Sequence, residues 1–318
     1  MAQVKNAFRK FDSLTTLLAL IGVMIIISIV NINFLSFNNI MNLLLQVSTN
    51  GFIAFGMTFV ILTAGIDLSV GSILALSGAL TAGLIGAGVP TPLAIIGALV
   101  IGAFLGALNG VLVSYGKLAP FIVTLATMTI FRGFTLVYTN GNPIVKKLGA
   151  DDLFSFLGQD DLFGIPFPAI LMFIVFVFLY ILLHKTAFGK SVYAIGGNEK
   201  AAYISGVKLN KTKIIIYTIS GIMAALSGLI VTSQLSSATP TAGTSYEMDA
   251  IASVVLGGTS LMGGKGRLVG TLYGALLIGV INNGLNIIGV SSFWQQVVKG
   301  LVILVAVLLD RLRSRRSN

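Results

Sequence analysis

Long apolar runs separated by short polar segments organise all 318 residues. A bilayer core needs about 20 predominantly apolar residues per helix. Runs of that kind recur at 13–33, 46–65, 69–88, 92–115, 119–138, 166–184, 212–233, 246–263, 268–288 and 292–310. The pattern predicts an all-α membrane protein, one polytopic domain over 1–318 with about 10 transmembrane helices. The segment FNNIMNLLL (37–45) is shorter and amphipathic, and is expected to lie at the interface. The first run is long for a signal-peptide core and no small-x-small site follows it, so it reads as a retained span.

Composition reinforces this pattern. The chain is 56% hydrophobic and 9% charged, against about 25% charged residues in soluble domains, so the lipid bilayer is the solvent for most of it. With no cysteine, disulfides, thiolate catalysis and cysteine-ligated metals are excluded. A formal charge of +10 could suggest nucleic acid, but the charges flank apolar runs. With both termini in the cytoplasm, sixteen of the twenty basic residues fall inside: Lys5, Arg9 and Lys10, Lys117, six lysines between 185 and 213, Lys265 and Arg267, and the four arginines from Arg311 to Arg316. Lys146 and Lys147 fall outside, and Arg132 and Lys299 within spans. The positive-inside rule accounts for this asymmetry, and no nucleic-acid partner is needed.

Small residues recur every four positions at Gly102, Gly106 and Gly110, and at Gly71, Ala75, Ala79 and Gly83, as on helix packing faces. Residues 97–116 echo 270–289 at a constant offset of 173, pairing Gly106 with Gly279 and Asn109 with Asn282. In the expected topology these spans run in opposite directions, as in an inverted repeat of five helices each.

Enzymatic chemistry finds no support. The one histidine, His184, has no cluster of carboxylates around it in sequence, so no metal site or cofactor is expected. Gly189-Lys190-Ser191 matches only the tail of a phosphate-binding loop, and Gly263-Gly264-Lys265-Gly266 lacks its hydroxyl. Any ATP-driven function must therefore borrow an ATPase.

Charges within the membrane are costly unless paired or useful. Asp67, in AGIDLSVGS, reads either as the N-cap of the following helix or as part of a pathway or gate. Glu247 and Asp249 carry the same two readings at the outer start of their span. Asn282, Asn283, Asn286, Gln295 and Gln296 suit a hydroxyl-rich solute or serve as interhelical glue. Asp67, Asn109, Glu247, Asp249, Asn282 and Asn283 form the candidate pathway or gate set. Paired carboxylates and Asp/His relays, which would mark an ion-driven secondary transporter, are scarce.

The cytoplasmic stretch 185–213 is polar and basic. Asn198 can cap a two-turn helix over Glu199–Ser205 that Gly206 can end. So short a helix is unstable alone and must dock on something.

At these residues the chain resembles the ribose-type permeases of bacterial ABC importers. The likeness runs through GMTFVILTAGIDLSVGSILALSGA (56–79), VYTNGNPI (137–144), YAIGGNEKAAYISGV (193–207) and 240–286. Asn198, Glu199, Ala201, Ala202 and Gly206 resemble that family's coupling helix, which seats in the ATPase. Lys200 departs from its Glu-Ala-Ala core, pointing to solvent or to an acidic ATPase surface. The resemblance implies a homodimeric permease of the bacterial inner membrane, an ATPase subunit inside and a periplasmic sugar-binding protein outside. The implied substrate is D-ribose. The alternatives are another monosaccharide, a furanosyl signal molecule, the zwitterion of a distantly related branched-chain amino-acid permease, or a different class, secondary transport.

Overall fold

A computed structural model describes the backbone of residues 2–145 and 148–316, and side chains over 15–145, 148–305 and 307–308. Lys146 and Lys147 lie outside the described residues, as do the side chains of Lys5, Arg9, Lys10, Arg311, Arg313, Arg315 and Arg316.

Thirteen α-helices are found among the described residues: α1 (Ala2–Val30), α2 (Phe37–Leu62), α3 (Val70–Gly86), α4 (Thr91–Ser114), α5 (Pro120–Thr139), α6 (Asp152–Gln159), α7 (Phe167–Lys185), α8 (Ala187–Gly197), α9 (Glu199–Ile204), α10 (Leu209–Gln234), α11 (Tyr246–Leu256), α12 (Leu268–Ile287) and α13 (Ser292–Arg316). Six of them (α2, α4, α5, α7, α10 and α12) are long and apolar enough to cross a membrane, with shorter apolar helices at 15–30, 70–86 and 292–305.

Helix directions follow from side-chain contacts. Thr49 meets Ser227 and Gly56 meets Ser220, so α2 and α10 are antiparallel. Gly102 faces Gly221 and Gly110 faces Ile214, so α4 is antiparallel to α10. Asn39 bonds Asn283 and Thr58 bonds Thr271, setting α12 against α2. The echoed segments in α4 and α12 therefore run in opposite directions. Both α2 and α10 are 26 residues long, and their first and last residues stand at one offset, Phe37 to Leu209 and Leu62 to Gln234. The core of the bundle is α10, flanked by α2, α3 and α4.

The Gly102–Gly106–Gly110 ladder is the seam that lets α4 touch α10. A Cβ at Gly110 would stand 2.7 Å from Ile214 Cα, and one at Gly106 would collide with the Tyr217 carbonyl. The ladder expected on α3 serves two neighbours instead. Gly71 abuts Gly243, while Gly83 abuts the Tyr138 hydroxyl.

Three expectations change. Residues 37–45 are the first turns of α2, because Ser36 caps that helix by accepting from Asn39 N and no break follows. The run 246–263 is helical only to Leu256. Gly257 and Gly270 approach backbone to backbone and Gly258 takes a positive φ of 85°, so the rest of the run turns back as a loop. The stretch 185–213 holds two helices, since Thr186 caps α8 by accepting from Gly189 N. Between α5 and α7, residues 148–166 are structured as well. They fold as α6 and a two-residue antiparallel strand pair, Asp161–Leu162 with Ile165–Pro166.

Candidate translocation cavity and buried polar network

A cavity of about 240 Å³ opens among α2, α10, α11, α12 and α13, at the end of the bundle opposite to 185–213. Its walls are amide-rich: Gln46 and Asn50 from α2, Gln234 from α10, Asn282 and Asn286 from α12, and Gln295 from α13. Asp249 and Lys299 join across it as an ion pair of 2.7 Å. Gln295 donates to Asn286 Oδ1 at 2.7 Å. Asn50 Oδ1 and Asn282 Oδ1 are buried and have no partner in the chain, a cost of about 1–3 kcal/mol each that a ligand's hydroxyl would remove. The space is smaller than a drug-sized pocket of about 300–1,000 Å³ and suits a small polar solute.

Deeper in the bundle lies a second polar cluster. The segment 63–69, between α2 and α3, is not helical and is largely buried. Asp67, with 0% exposure, accepts from Ser69 N (3.1 Å), Ser69 Oγ (2.6 Å) and, across to α10, Ser220 Oγ (2.8 Å). Asn109 Nδ2 donates to Ser69 Oγ at 2.8 Å. Asp67 is thus not an N-cap. The cap position of α3 is Ser69, and the Asp67 carboxylate holds the non-helical segment against α10 and, through Ser69, against α4.

Arg132 of α5 is a half-buried charge whose partners sequence reasoning did not find. Its guanidinium donates to Pro240 O (2.6 Å), Ala242 O (2.9 Å) and Gly71 O (3.2 Å). Pro240 and Ala242 belong to the second non-helical segment, 235–245, which meets the start of α3. Where a membrane interior offers no water, this is how exposed carbonyls are satisfied. Backbone carbonyls leave no sequence signal, which is why the partner was invisible.

At the other end, α9 starts at Glu199 as expected and ends at Ile204, one residue before the expected Ser205, which is its C-cap. Asn198 Oδ1 accepts from Ala201 N at 3.0 Å, and Gly206 closes the helix at a φ of 83° with Val207 N donating to Ala202 O. Ala202 is buried, whereas Tyr203 and Ile204 are 70% and 84% exposed. Two apolar side chains beside a basic surface make α9 competent to dock. Behind it, α8 meets α2 without side chains, since Gly196 lies against the Leu62 carbonyl and Gly264 N, which themselves bond at 2.9 Å.

A family profile described as the branched-chain amino acid transport system / permease component matches residues 39–307. The chain belongs to this permease family. It is 63% identical over 297 residues to the ribose import permease of Bacillus subtilis (93% of this chain, 92% of the relative). It is 52% identical over 296 residues to the ribose import permease of Escherichia coli K12 (93% and 92%) and 46% identical over 283 residues to that organism's D-allose transport system permease (89% and 86%). No solved structure matches the chain significantly. With its six long apolar helices, the permease is a multi-pass inner-membrane protein.

Of the expected pathway residues, Asp249 and Asn282 line the cavity, while Asp67 and Asn109 share the buried network. Glu247 lies outside both clusters, its carboxylate beside the Gly71–Gly243 contact and close enough to Arg132 for the two charges to attract. Asn283 exchanges hydrogen bonds of 2.9 and 3.0 Å with Asn39 and serves as glue between α12 and α2. Gln46, Asn50 and Gln234 were missed, although Gln46 and Asn50 are four residues apart and so share one face of α2.

Proposed function

We propose that this permease is the membrane subunit of an ATP-driven importer of D-ribose, powered by a separate ATPase docked on 185–213. The observation that carries the reading is 63% identity to a ribose import permease over 93% of the chain. The amide-lined cavity supports it, because neutral donors and acceptors replace water around a polyol without demanding charge. The scarcity of a charge relay argues against ion coupling.

The proposal includes ten crossings, by α1–α5, α7, α10, α12 and α13, and by the 11-residue α11 together with the non-helical segment 235–245 that leads into it. Contacts support alternation: α3 runs with α10 (Leu74 by Gly228, Gly78 by Thr232), α7 runs with α2 (Gly51 by Met172, Phe55 by Phe176), and α11 opposes α12 (Ser253 by Gly274, Gly257 by Gly270). Alternation puts both termini on one side, and the basic residues make that side cytoplasmic. We assign α9, through Asn198, Glu199, Ala201, Ala202 and Gly206, as the helix seated in the ATPase. Asp249 and Asn282 contact solute, and Asp67, Asn109 and Glu247 act at the gate. A second copy of the chain completes the pathway and a periplasmic binding protein delivers the sugar. The permease itself performs no covalent chemistry.

The test is uptake of labelled ribose into proteoliposomes holding the permease, its ATPase and its binding protein. Uptake is expected only with ATP and the binding protein together. ATP hydrolysis without ribose entry would move the substrate to another monosaccharide. Uptake driven by an ion gradient alone would overturn the reading.

A further inference from the structure

A second cavity, of about 530 Å³, lies at the end of the bundle that carries 185–213, between the end of α7, α8 and the connection from α11 to α12. Four basic side chains line it, His184, Lys185, Lys265 and Arg267, and no carboxylate is among its lining residues. Glycine backbone at 257–258 and 266 forms the floor. The site is built by packing. The His184 ring stands edge-on to Tyr180 with centroids 4.6 Å apart, and Tyr193 donates its hydroxyl to Gly266 O at 2.9 Å. Leading to it along α7 is an exposed apolar stripe of Phe173, Ile174, Val177, Phe178 and Ile181, which ends one turn before Lys185.

We propose that this pocket binds a phosphate group, and that the stripe beside it selects the anionic headgroup of an inner-leaflet phospholipid whose acyl chain lies along α7. Lys185 and Arg267 bring two cations to a lining that holds no carboxylate, and such a pair attracts an anion. Basic pockets between membrane helices at the cytoplasmic face are suited to lipid phosphates. Assigning the pocket to the inner leaflet rests on the topology proposed above, whereas binding of the phosphate does not.

Native mass spectrometry of the purified full-length chain tests it, with phosphatidylglycerol and phosphatidylcholine of the same acyl chains as probes. Phosphatidylglycerol is expected to bind about thirtyfold more tightly. Lys185→Gln with Arg267→Gln should erase that preference, at about fivefold per cation. Lys117→Gln, at the same end but outside the pocket, should retain it. Equal retention of both lipids, or a double variant that behaves as the parent, overturns the proposal. If millimolar inorganic phosphate strips the lipid, the same site is a receptor for soluble phosphate esters. If the lipid resists, the headgroup is the ligand. Because the chain has no cysteine, labelling a Lys117→Cys variant from each side reports the topology separately. Labelling from the outer side would overturn the topology and leave phosphate binding standing.

Discussion

The seam between α4 and α10 turns the closeness of two helices into a measurable quantity through Gly110→Ala. The new Cβ would stand 2.7 Å from Ile214 Cα, 3.2 Å from Ile214 O and 3.3 Å from Tyr217 Cβ, where ordinary contact begins at 3.4 Å. Two of the three obstacles are backbone, so no rotamer change relieves them. The helices must separate by about 0.7 Å, a gap that forfeits a quarter to a half of the dispersion energy of the atoms it parts. Overpacking of this kind costs about 1–3 kcal/mol. Alanine also gains about 1 kcal/mol over glycine in helix propensity, which would mask the effect in the single variant. Gly97→Ala, on the same helix, supplies the control, because its Cβ would meet only Leu84 Cδ1, at 3.7 Å. The propensity gain is common to both variants, so their difference isolates the overpacking cost. At about 2–4 °C per kcal/mol, the apparent midpoint of Gly110→Ala should lie roughly 2–12 °C below that of Gly97→Ala. Loss of the monodisperse size-exclusion peak on heating measures this. Coincident midpoints would refute the close-packed seam.

Lys299→Met removes the cation from Asp249, whose side chain is 7% exposed against 26% for Lys299. Breaking a buried pair from one side costs about 3–5 kcal/mol, and the partial exposure of Lys299 puts the expected loss at the lower end; adding Asp249→Asn should restore most of it in the same heating assay. Asn198→Ala removes the cap of α9, worth about 1 kcal/mol, and should weaken ATPase affinity about fivefold, as measured by co-purification titration; unchanged affinity would count against α9 as the seat. Arg132→Gln strips donors from three carbonyls and should abolish uptake and lower the apparent midpoint, with Arg132→Lys intermediate, since one ammonium cannot span all three acceptors. Normal uptake by the glutamine variant would remove Arg132 from the mechanism.

How far the architecture could be read beforehand depended on what the membrane enforces. Apolar runs were legible because a bilayer tolerates little else, and α9 was legible because Asn198 and Gly206 act within their own turn. The run 246–263 misled because composition records hydrophobicity, and the segment after Leu256 stays apolar while its glycines turn the backbone away. The amphipathic look of 37–45 misled in the opposite sense. Asn39 faces protein partners, donating to Asn283 and to Phe34 O, while Asn38 and Asn42 are exposed on a continuous helix. The cavity was half legible. Asn282 and Asp249 drew notice by residue type, but Gln46 and Asn50 join them only because α2 turns one face toward α12, and a single chain does not announce which face a helix presents.

The two non-helical segments explain why the permease needs buried polar side chains at all. Segments 63–69 and 235–245 follow α2 and α10, the helices matched at both ends by one offset, so each half of the chain breaks at the equivalent place. Each break strands backbone groups that lipid cannot satisfy. Each is also tied down by the opposite half. Ser220, on α10, donates to Asp67 in the first segment, and Arg132, on α5, donates to Pro240 and Ala242 in the second. At each break at least one polar link therefore crosses between the halves, beside links such as Asn109–Ser69 that stay within the first half. A motion that opens one end of the bundle by shifting one half against the other must stretch a link at each break. Asp67 and Arg132 thus stand where such a motion would have to exchange one set of polar partners for another.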